Sequence, residues 1–347
     1  MPDVQNQQIL LASRPTGMPT PENFRIVQTP VPEPADGQLL LEILYLSLDP
    51  YMRGRMDDAK SYARPVEIGA VMEGGTVARV AASKHPDYAP GDIVLSHSGW
   101  QRYALSDGEN LRKLDPALAP ISTALGVLGM PGFTAWAGMR EIGRPKPGET
   151  VVVAAASGAV GSVVGQIARI RGARAVGIAG GADKCAFVHD ELGFDAVIDH
   201  RAPDFAARLA DACPQGIDVY FENVGGKIWD AVFPLLNEFA RVPVCGLISQ
   251  YNALPQAEPG PDRLALLMRD VLKKSLLIRG FIQHEFADLR PEFLREAEPW
   301  IANGKLRYRE DIVDGLERAP AALIDLLQGR NFGKLIIKVA EHAAPHS

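Results

Sequence analysis

The sequence has only three cysteines among 347 residues, and none of Cys185, Cys213 and Cys245 has a partner at CxxC spacing. Scattered thiols of this kind make no disulfide framework, which points to a reducing compartment and a cytoplasmic protein. The seven histidines form no HExxH or paired pattern. The clustered Cys, His and carboxylate ligands of a catalytic or structural zinc site are therefore missing, and no metal is expected. Basic charge is not in excess either. Lys and Arg number 36 against 42 Asp and Glu, a net charge of −6, which leaves no electrostatic footprint for nucleic acid or anionic lipid. Met1 to Gly17 has no basic stretch followed by an apolar core, so no secretory leader is read there. Long apolar runs are equally scarce. Val151 to Ala168 carries no charge, but it is built of Val, Ala and Gly, contains Ser157, Ser162 and Gln166, and is interrupted by a turn signal. A buried strand, turn and helix fit it better than a membrane span.

What is present falls into two rhythms. Up to about residue 128 the chain is turn-rich, with fourteen of the 27 prolines before Gly132. Strand-like runs at Leu39–Leu46, Val71–Val80 and Ile93–Leu95 are punctuated by Gly-Asp or Gly-Gly pairs, which predicts a β domain with loops. From Gly148 the rhythm is strand, turn, helix. Apolar runs at Val151–Ala155, Ala175–Ala179, Ala196–Ile198, Val219–Phe221, Arg241–Cys245 and Leu276–Phe281 alternate with helical patterns at Ser162–Arg171, Asp183–Leu192, Phe205–Ala212, Lys227–Leu236 and Pro261–Lys274. Such alternation predicts an α/β fold with a doubly wound parallel sheet. Pro243 conflicts with a central strand and is expected at a strand end or bulge. From about Lys305 the strand-like pattern returns, at Tyr308–Val313 and Lys334–Val339 around a helix near Ala319–Leu327. A final strand extends a parallel sheet only through a longer crossover, so this tail is expected to complete the first domain. No internal repeat or low-complexity tract is present.

The sharpest motif ends the first apolar run. Ala156, Gly158 and Gly161 hold the spacing of a dinucleotide fingerprint, with alanine for the first glycine. Gly158 lets the backbone approach a pyrophosphate, Gly161 lets the next helix pack on the strand, and the helix N-terminus faces the phosphates. The bland alternative is a tight turn before an Ala/Gly-rich helix. The second strand bears on which dinucleotide is bound. An NAD site places an Asp or Glu there for the ribose 2′-hydroxyl, whereas this strand ends Gly-Ile-Ala-Gly-Gly with no acid through Gly181. Lys184 follows and can pair with a 2′-phosphate; Asp183 competes as a signal but suits a helix cap. NADP is the expected cofactor.

The runs Leu46–Met56 (LSLDPYMRGRM), Gly129–Ala135 (GMPGFTA), Ala155–Gln166 (AASGAVGSVVGQ), Glu222–Gly226 (ENVGG) and Cys245–Asn252 (CGLISQYN) resemble the zinc-free medium-chain dehydrogenases/reductases. Within these, the likeness is to the prostaglandin/leukotriene reductases, the plant alkenal double-bond reductases and, most of all, the bacterial NADPH-dependent curcumin reductases, and it runs essentially from end to end. The resemblance implies a GroES-like substrate/catalytic domain from residues 1–128 and 305–347, a Rossmann NADP-binding domain from 129–304, and an active site in the cleft. It implies reduction of the carbon–carbon double bond of α,β-unsaturated ketones or aldehydes by NADPH. By position it assigns Gly158, Ala159, Val160 and Gly161 to the pyrophosphate turn and Lys184 to the 2′-phosphate. It assigns cofactor contacts to Asn223, to the run Cys245, Gly246, Leu247, Ile248, Ser249 and Tyr251, to Phe281, Ile282 and Gln283, and to Asn331. His200 falls where many members carry a tyrosine beside the 2′-phosphate, which puts the strength of that contact in doubt; a surface histidine is the plainer reading.

Hydride addition to the β-carbon of an enone puts negative charge on the carbonyl oxygen, so the site needs a donor there and a proton for the α-carbon. Tyr251 and Tyr51 are the candidate catalytic residues, because a phenol with an ordinary pKa of about 10 stays protonated at neutral pH. Either can instead pack only as an amphipathic wall, and the cofactor's ribose hydroxyl or water can supply the proton. Arg53 is expected to pair within its own turn rather than contact phosphate. The loops 57–64 and 252–262 are expected to shape the pocket. The apolar run Leu276–Phe281 would leave a sheet edge bare in a monomer, and a homodimer is expected. Two other readings stay open: an NADPH quinone reductase and a non-catalytic NADPH-binding protein.

Overall fold

A computed structural model describes residues 5–253 and 263–341. The chain divides into two units, Met1–Gly126 with Glu310–Ser347, and Val127–Arg309.

In the first unit the strand Leu39–Ser47 organises a seven-stranded sheet. One edge pairs antiparallel with Thr76–Ser83. The other is shared: Leu39–Glu42 pair with Tyr103–Ser106, and Tyr45–Ser47 pair with the C-terminal strand Lys334–Lys338. Glu310–Asp314 adds in parallel outside that strand. Ile93–Ser96 and Arg112–Leu114 extend the sheet on the Thr76–Ser83 side, and Gln5–Leu11 forms a separate hairpin with Phe24–Pro30. Both chain ends thus build one sheet and one core, in which Leu46, Leu48, Met52 and Trp100 cluster with Leu316, Leu323 and Ile337. The run expected as a strand from Val71 begins only at Thr76, because Gly74 and Gly75 interrupt it; Val71 keeps a single bridge to Leu10.

The second unit carries the elements numbered in order as β1 (Thr150–Ala154), α1 (Gly161–Ile170), β2 (Arg174–Ala179), α2 (Ala182–Ala186), β3 (Ala196–Asp199), α3 (Phe205–Ala212), β4 (Ile217–Phe221), α4 (Lys227–Val232), β5 (Leu236–Val244), α5 (Leu264–Lys274) and β6 (Leu277–Gly280). All six strands are parallel, in the order β3-β2-β1-β4-β5-β6. This is the doubly wound dinucleotide-binding topology, whose ligands lie outside the carboxyl ends of the strands. Every residue of β1 is buried, as both-face coverage by helices demands. Pro261 and Asp262, expected to open α5, lie outside the described residues.

Three elements depart from expectation. Strand β5 starts five residues earlier than its apolar run, because its register with β4 jumps from Ile217↔Leu236 to Val219↔Arg241. The extra residues bulge out, with Phe239 at φ 62° and exposed. Pro243 sits next to the end of that strand, where its carbonyl accepts the Glu222 N–H at 2.9 Å. The helices Met130–Ala137 and Arg290–Ala302 had no sequence expectation. The first is almost wholly buried and shows no amphipathic period; the second contains Pro291 and Pro299, which read as breakers. Their rings pack together, with Phe133 and Phe293 at 5.5 Å and Trp136 and Phe293 at 5.9 Å.

Candidate active site

Every candidate that the second unit contributes lies just past the carboxyl end of a strand of its sheet. After β1, the chain turns at Ala155 (φ 52°) and the Gly158 N–H donates to the Ala155 carbonyl at 2.9 Å. A Cβ on Gly161 would sit 2.3 Å from that same carbonyl oxygen and 2.8 Å from its carbon. No side chain fits there, so the glycine lets α1 start against the strand. Gly158, Ala159, Val160 and Gly161 thereby form a turn at a helix N-terminus, where N–H groups lack intrahelical acceptors and the dipole favours anions.

After β4, Glu222 is buried and shapes the next turn. One carboxylate oxygen accepts the Val224 N–H at 2.7 Å, the Gly225 N–H at 2.9 Å and the Tyr220 hydroxyl at 3.0 Å. Desolvation raises the Glu222 pKa against these donors. Asn223 is held beside it: its amide donates to the Ala154 carbonyl at 2.8 Å and accepts from the Cys245 thiol at 2.8 Å. Burial, with the Glu222 charge adding, pushes that thiol up to about 12.

The run after β5 docks on this turn. The Ile248 N–H donates to the Asn223 carbonyl at 3.2 Å and the Ser249 N–H to the Val224 carbonyl at 3.1 Å. Tyr251 folds back over the run, its hydroxyl accepting the Leu247 N–H at 3.3 Å and lying 3.1 Å from where a Cβ on Gly246 would stand. Asn223 and Cys245–Tyr251 are therefore one connected group. Phe281, after β6, is buried; its ring meets Phe221 edge-on at 6.2 Å and closes on Gly138, so its backbone is what it can offer a ligand. The Ile282 N–H donates to Glu285 at 2.7 Å, and Gln283 accepts from Arg290 at 2.6 Å.

The ends of β2 and β3 form a second group. Gly181 has φ 93°, and both its N–H (3.0 Å) and that of Arg201 (2.9 Å) donate to one oxygen of Asp199. These two bonds hold the Asp199 pKa low. His200 lies over Gly180, and desolvation, with Lys227 and Arg201 adding, lowers its pKa. The ring is neutral at pH 7 and brings no charge to this group. Lys184 is half-buried in α2 on the adjoining turn. Arg201 is a residue that the sequence reading missed.

The remaining candidates belong to the first unit. Tyr51 opens the short helix Tyr51–Arg55. Burial drives its pKa far above the ordinary phenol value, the Asp49 and Glu73 carboxylates add, and Arg55 opposes. Arg55 lies 5.5 Å from the Tyr51 ring and 4.4 Å from that of Tyr62, which ties down part of the loop 57–64. Residues 254–262 of the other pocket loop lie outside the described residues. Arg53 pairs with Asp57 at 2.6 Å and donates to the Gly17 carbonyl at 2.9 Å, consistent with pairing in its own turn. Asn331 donates to the Gly333 carbonyl at 2.9 Å. Among the described residues no group of three or more His, Cys, Asp or Glu side chains is placed to hold a metal ion, and no helix is long and apolar enough to cross a membrane.

Comparison with known proteins agrees with this architecture. A family model for the N-terminal domain of oxidoreductases matches residues 7–114, and one described as zinc-binding dehydrogenase matches residues 159–299. The chain is 57% identical to the NADPH-dependent curcumin reductase of Escherichia coli, over 97% of each chain. It is 40% identical to the NADP(+)-dependent 2-alkenal reductase of Nicotiana tabacum, over 97% of this chain and 98% of that one. The crystal structure of CurA from Vibrio vulnificus in complex with NADPH superposes with a TM-score of 0.94 at 55% identity, covering 97% of this chain and 100% of the other. The chain belongs to the medium-chain dehydrogenase/reductase family, in the group of the curcumin, 2-alkenal and prostaglandin reductases.

Proposed function

We propose that this protein is an NADPH-dependent reductase of the carbon–carbon double bond of α,β-unsaturated ketones and aldehydes. The observation that carries the reading is the carboxyl edge of the second unit's sheet. There a glycine-bounded phosphate turn, an acid-free end of β2 and a tyrosine docked beside Asn223 occupy neighbouring strand ends. The residues fit NADPH. Gly158–Gly161 would take the pyrophosphate and Lys184 the 2′-phosphate. Asn223, the Cys245–Tyr251 run and Phe281–Gln283 would hold the rest. When bound, the cofactor supplies a hydride to the substrate's β-carbon.

As the electron pair of the double bond moves toward the carbonyl, charge grows on its oxygen. Tyr251 would meet that charge with its hydroxyl. The phenol already accepts a backbone N–H, which polarises its own O–H as a donor. Tyr51 is the second tyrosine of this reading, kept protonated by burial and two carboxylates. In domain terms, residues 129–304 would bind NADP, and residues 1–128 with 305–347 would form the substrate and catalytic domain. NADPH oxidation measured across alkenals, linear and cyclic enones, curcumin and quinones tests the whole. Turnover of enones supports it. Turnover of quinones alone makes the protein a quinone reductase, and no turnover with tight NADPH binding makes it a non-catalytic binder.

The same reading includes a homodimer and a cytoplasmic location. Strand β6 ends the sheet with all four residues exposed, Leu277 and Ile278 among them. The adjacent α5 exposes Leu264, Leu266, Met268 and Leu272. A bare apolar edge of this kind invites a second copy about a twofold axis. Sedimentation that finds a monomer at micromolar concentration overturns the dimer. The three cysteines are unpaired, in keeping with a reducing compartment.

A further inference from the structure

The turns after β2 and β3 contain more cation than the Lys184 reading uses. The Arg201 guanidinium is laid along the glycine pair that ends β2: its Nε is 3.1 Å from where a Cβ on Gly180 would stand, and an Nη is 3.2 Å from the same point on Gly181. Side chains at positions 180 and 181 would displace it. The backbone at its base is fixed, because the Asp199 carboxylate clamps the N–H groups of both Arg201 and Gly181. Lys227 pins the other side of the turn by donating to the His200 carbonyl at 3.0 Å. The guanidinium itself makes no direct salt bridge or side-chain hydrogen bond among the described residues, and the Asp199 carboxylate acts on it only through its field. His200 shares the Gly180 side of the turn, its Nε2 2.8 Å from where a Cβ on Gly180 would stand, while its Nδ1 is buried without a hydrogen-bond partner among the described residues. A fixed base and a planar fork over bare backbone form a site suited to an anion.

Resting on the NADPH reading above, we infer that Arg201 is a specificity-determining residue of the nucleotide site, its guanidinium taking the 2′-phosphate together with Lys184. The chemistry divides between the two residues. Lys184 is a compact point charge on a flexible stem, whereas Arg201 offers a planar fork that matches two phosphate oxygens at once and can stack on a purine face. His200 adds a neutral donor or a ring face. It is the fork that separates a 2′-phosphate from a 2′-hydroxyl, since a hydroxyl cannot neutralise it.

The test is equilibrium binding to the whole protein, with NADPH, NADH and 2′,5′-ADP as probes, using Arg201→Ala and Arg201→Lys. The side chain is exposed, so neither change disturbs the core, and circular dichroism checks that the fold is kept. Arg201→Ala is expected to weaken NADPH and 2′,5′-ADP by about ten- to 150-fold, the loss of one charge-assisted pair, and to leave NADH unchanged. Arg201→Lys should fall between, because it keeps charge without the fork. If wild type prefers NADPH and Arg201→Ala keeps that preference in full, or weakens NADH as much as NADPH, the assignment of Arg201 is overturned. A wild type that binds NADH as tightly as NADPH overturns the cofactor reading itself, and this inference with it.

Discussion

The Leu247 backbone N–H donates to the Tyr251 hydroxyl at 3.3 Å, four residues ahead of it in the same turn. The bond fixes where the phenol oxygen stands without using its proton. The run that carries it is itself docked on the Asn223 turn. Tyr251→Phe keeps the ring and its packing but removes the donor. Turnover with a good enone should fall by about 10²–10³-fold, equivalent to roughly 2.7–4 kcal/mol of transition-state stabilisation. NADPH affinity should change little, and quinones, which stabilise charge themselves, should lose less. Full turnover in the variant would reduce Tyr251 to a wall and pass the donor role to Tyr51 or the ribose hydroxyl.

Lys184 supplies the second expectation. It occupies the first turn of α2, past an end of β2 that carries no acid through Gly181. Lys184→Ala should weaken NADPH by about ten- to 150-fold through loss of one charge-assisted contact, and leave NADH nearly unchanged. Fluorescence titration with both cofactors measures this. Equal weakening of the two would remove the 2′-phosphate role.

Much of this was legible in the sequence because it follows from local physics. Strands covered by helices on both faces are apolar along most of their length, so Val151–Ala155, Ala175–Ala179, Ala196–Ile198 and Val219–Phe221 stood out as uncharged runs, and Gly161 marked a place where α1 has to touch backbone. The docked turn at Asn223 announced itself through Glu-Asn-Val-Gly-Gly, whose two glycines take φ of 76° and 59°. What stayed hidden depends on distant partners. The start of β5 was masked because Asn237 and Glu238 fall in its bulge and interrupt the apolar pattern. Arg201 resembles any charged loop residue until β3 lines up beside β2 and brings it over Gly180. The fully buried helix Met130–Ala137 has no polar face to give it a period.

A third expectation concerns acid stability in the first unit. Glu310 donates nothing and accepts the Ser122 hydroxyl at 2.8 Å, while its other oxygen is buried without a partner among the described residues. Burial raises its pKa, with Ser122 and Lys334 opposing. A raised folded-state value means the folded protein holds this proton more tightly than the unfolded chain. The resulting stabilisation is complete below the ordinary glutamate value of about 4.3 and is lost as pH rises through the folded-state value. Glu310→Gln should remove that share of the pH dependence, so the variant gains on wild type as pH rises from mildly acidic to neutral. Urea denaturation at several pH values checks this, and parallel profiles would refute it.

The last expectation follows from the ion pair that joins the two ends of the chain. Lys334, the first residue of the C-terminal strand, reaches back to Asp49 at 3.0 Å and donates to the Leu48 carbonyl at 2.7 Å. The side chains are 4% and 7% exposed, and the Ser47 hydroxyl also donates to Asp49. Such a pair gains little over an apolar contact of the same shape, because desolvation offsets most of the attraction. Breaking it is another matter. Lys334→Met leaves a buried carboxylate without its counter-charge and should cost about 3–5 kcal/mol of unfolding free energy. The double variant with Asp49→Asn should recover part of that loss, since a neutral amide no longer needs the cation. The strand pairing Ile336↔Ser47 to Lys338↔Tyr45 remains available in both variants, so the fold is retained and chemical denaturation can compare all three proteins. If Lys334→Met costs no more than an exposed substitution, the pair is not what fastens the C-terminal strand. The Leu335, Ile336 and Ile337 side chains, all buried, would then hold it alone.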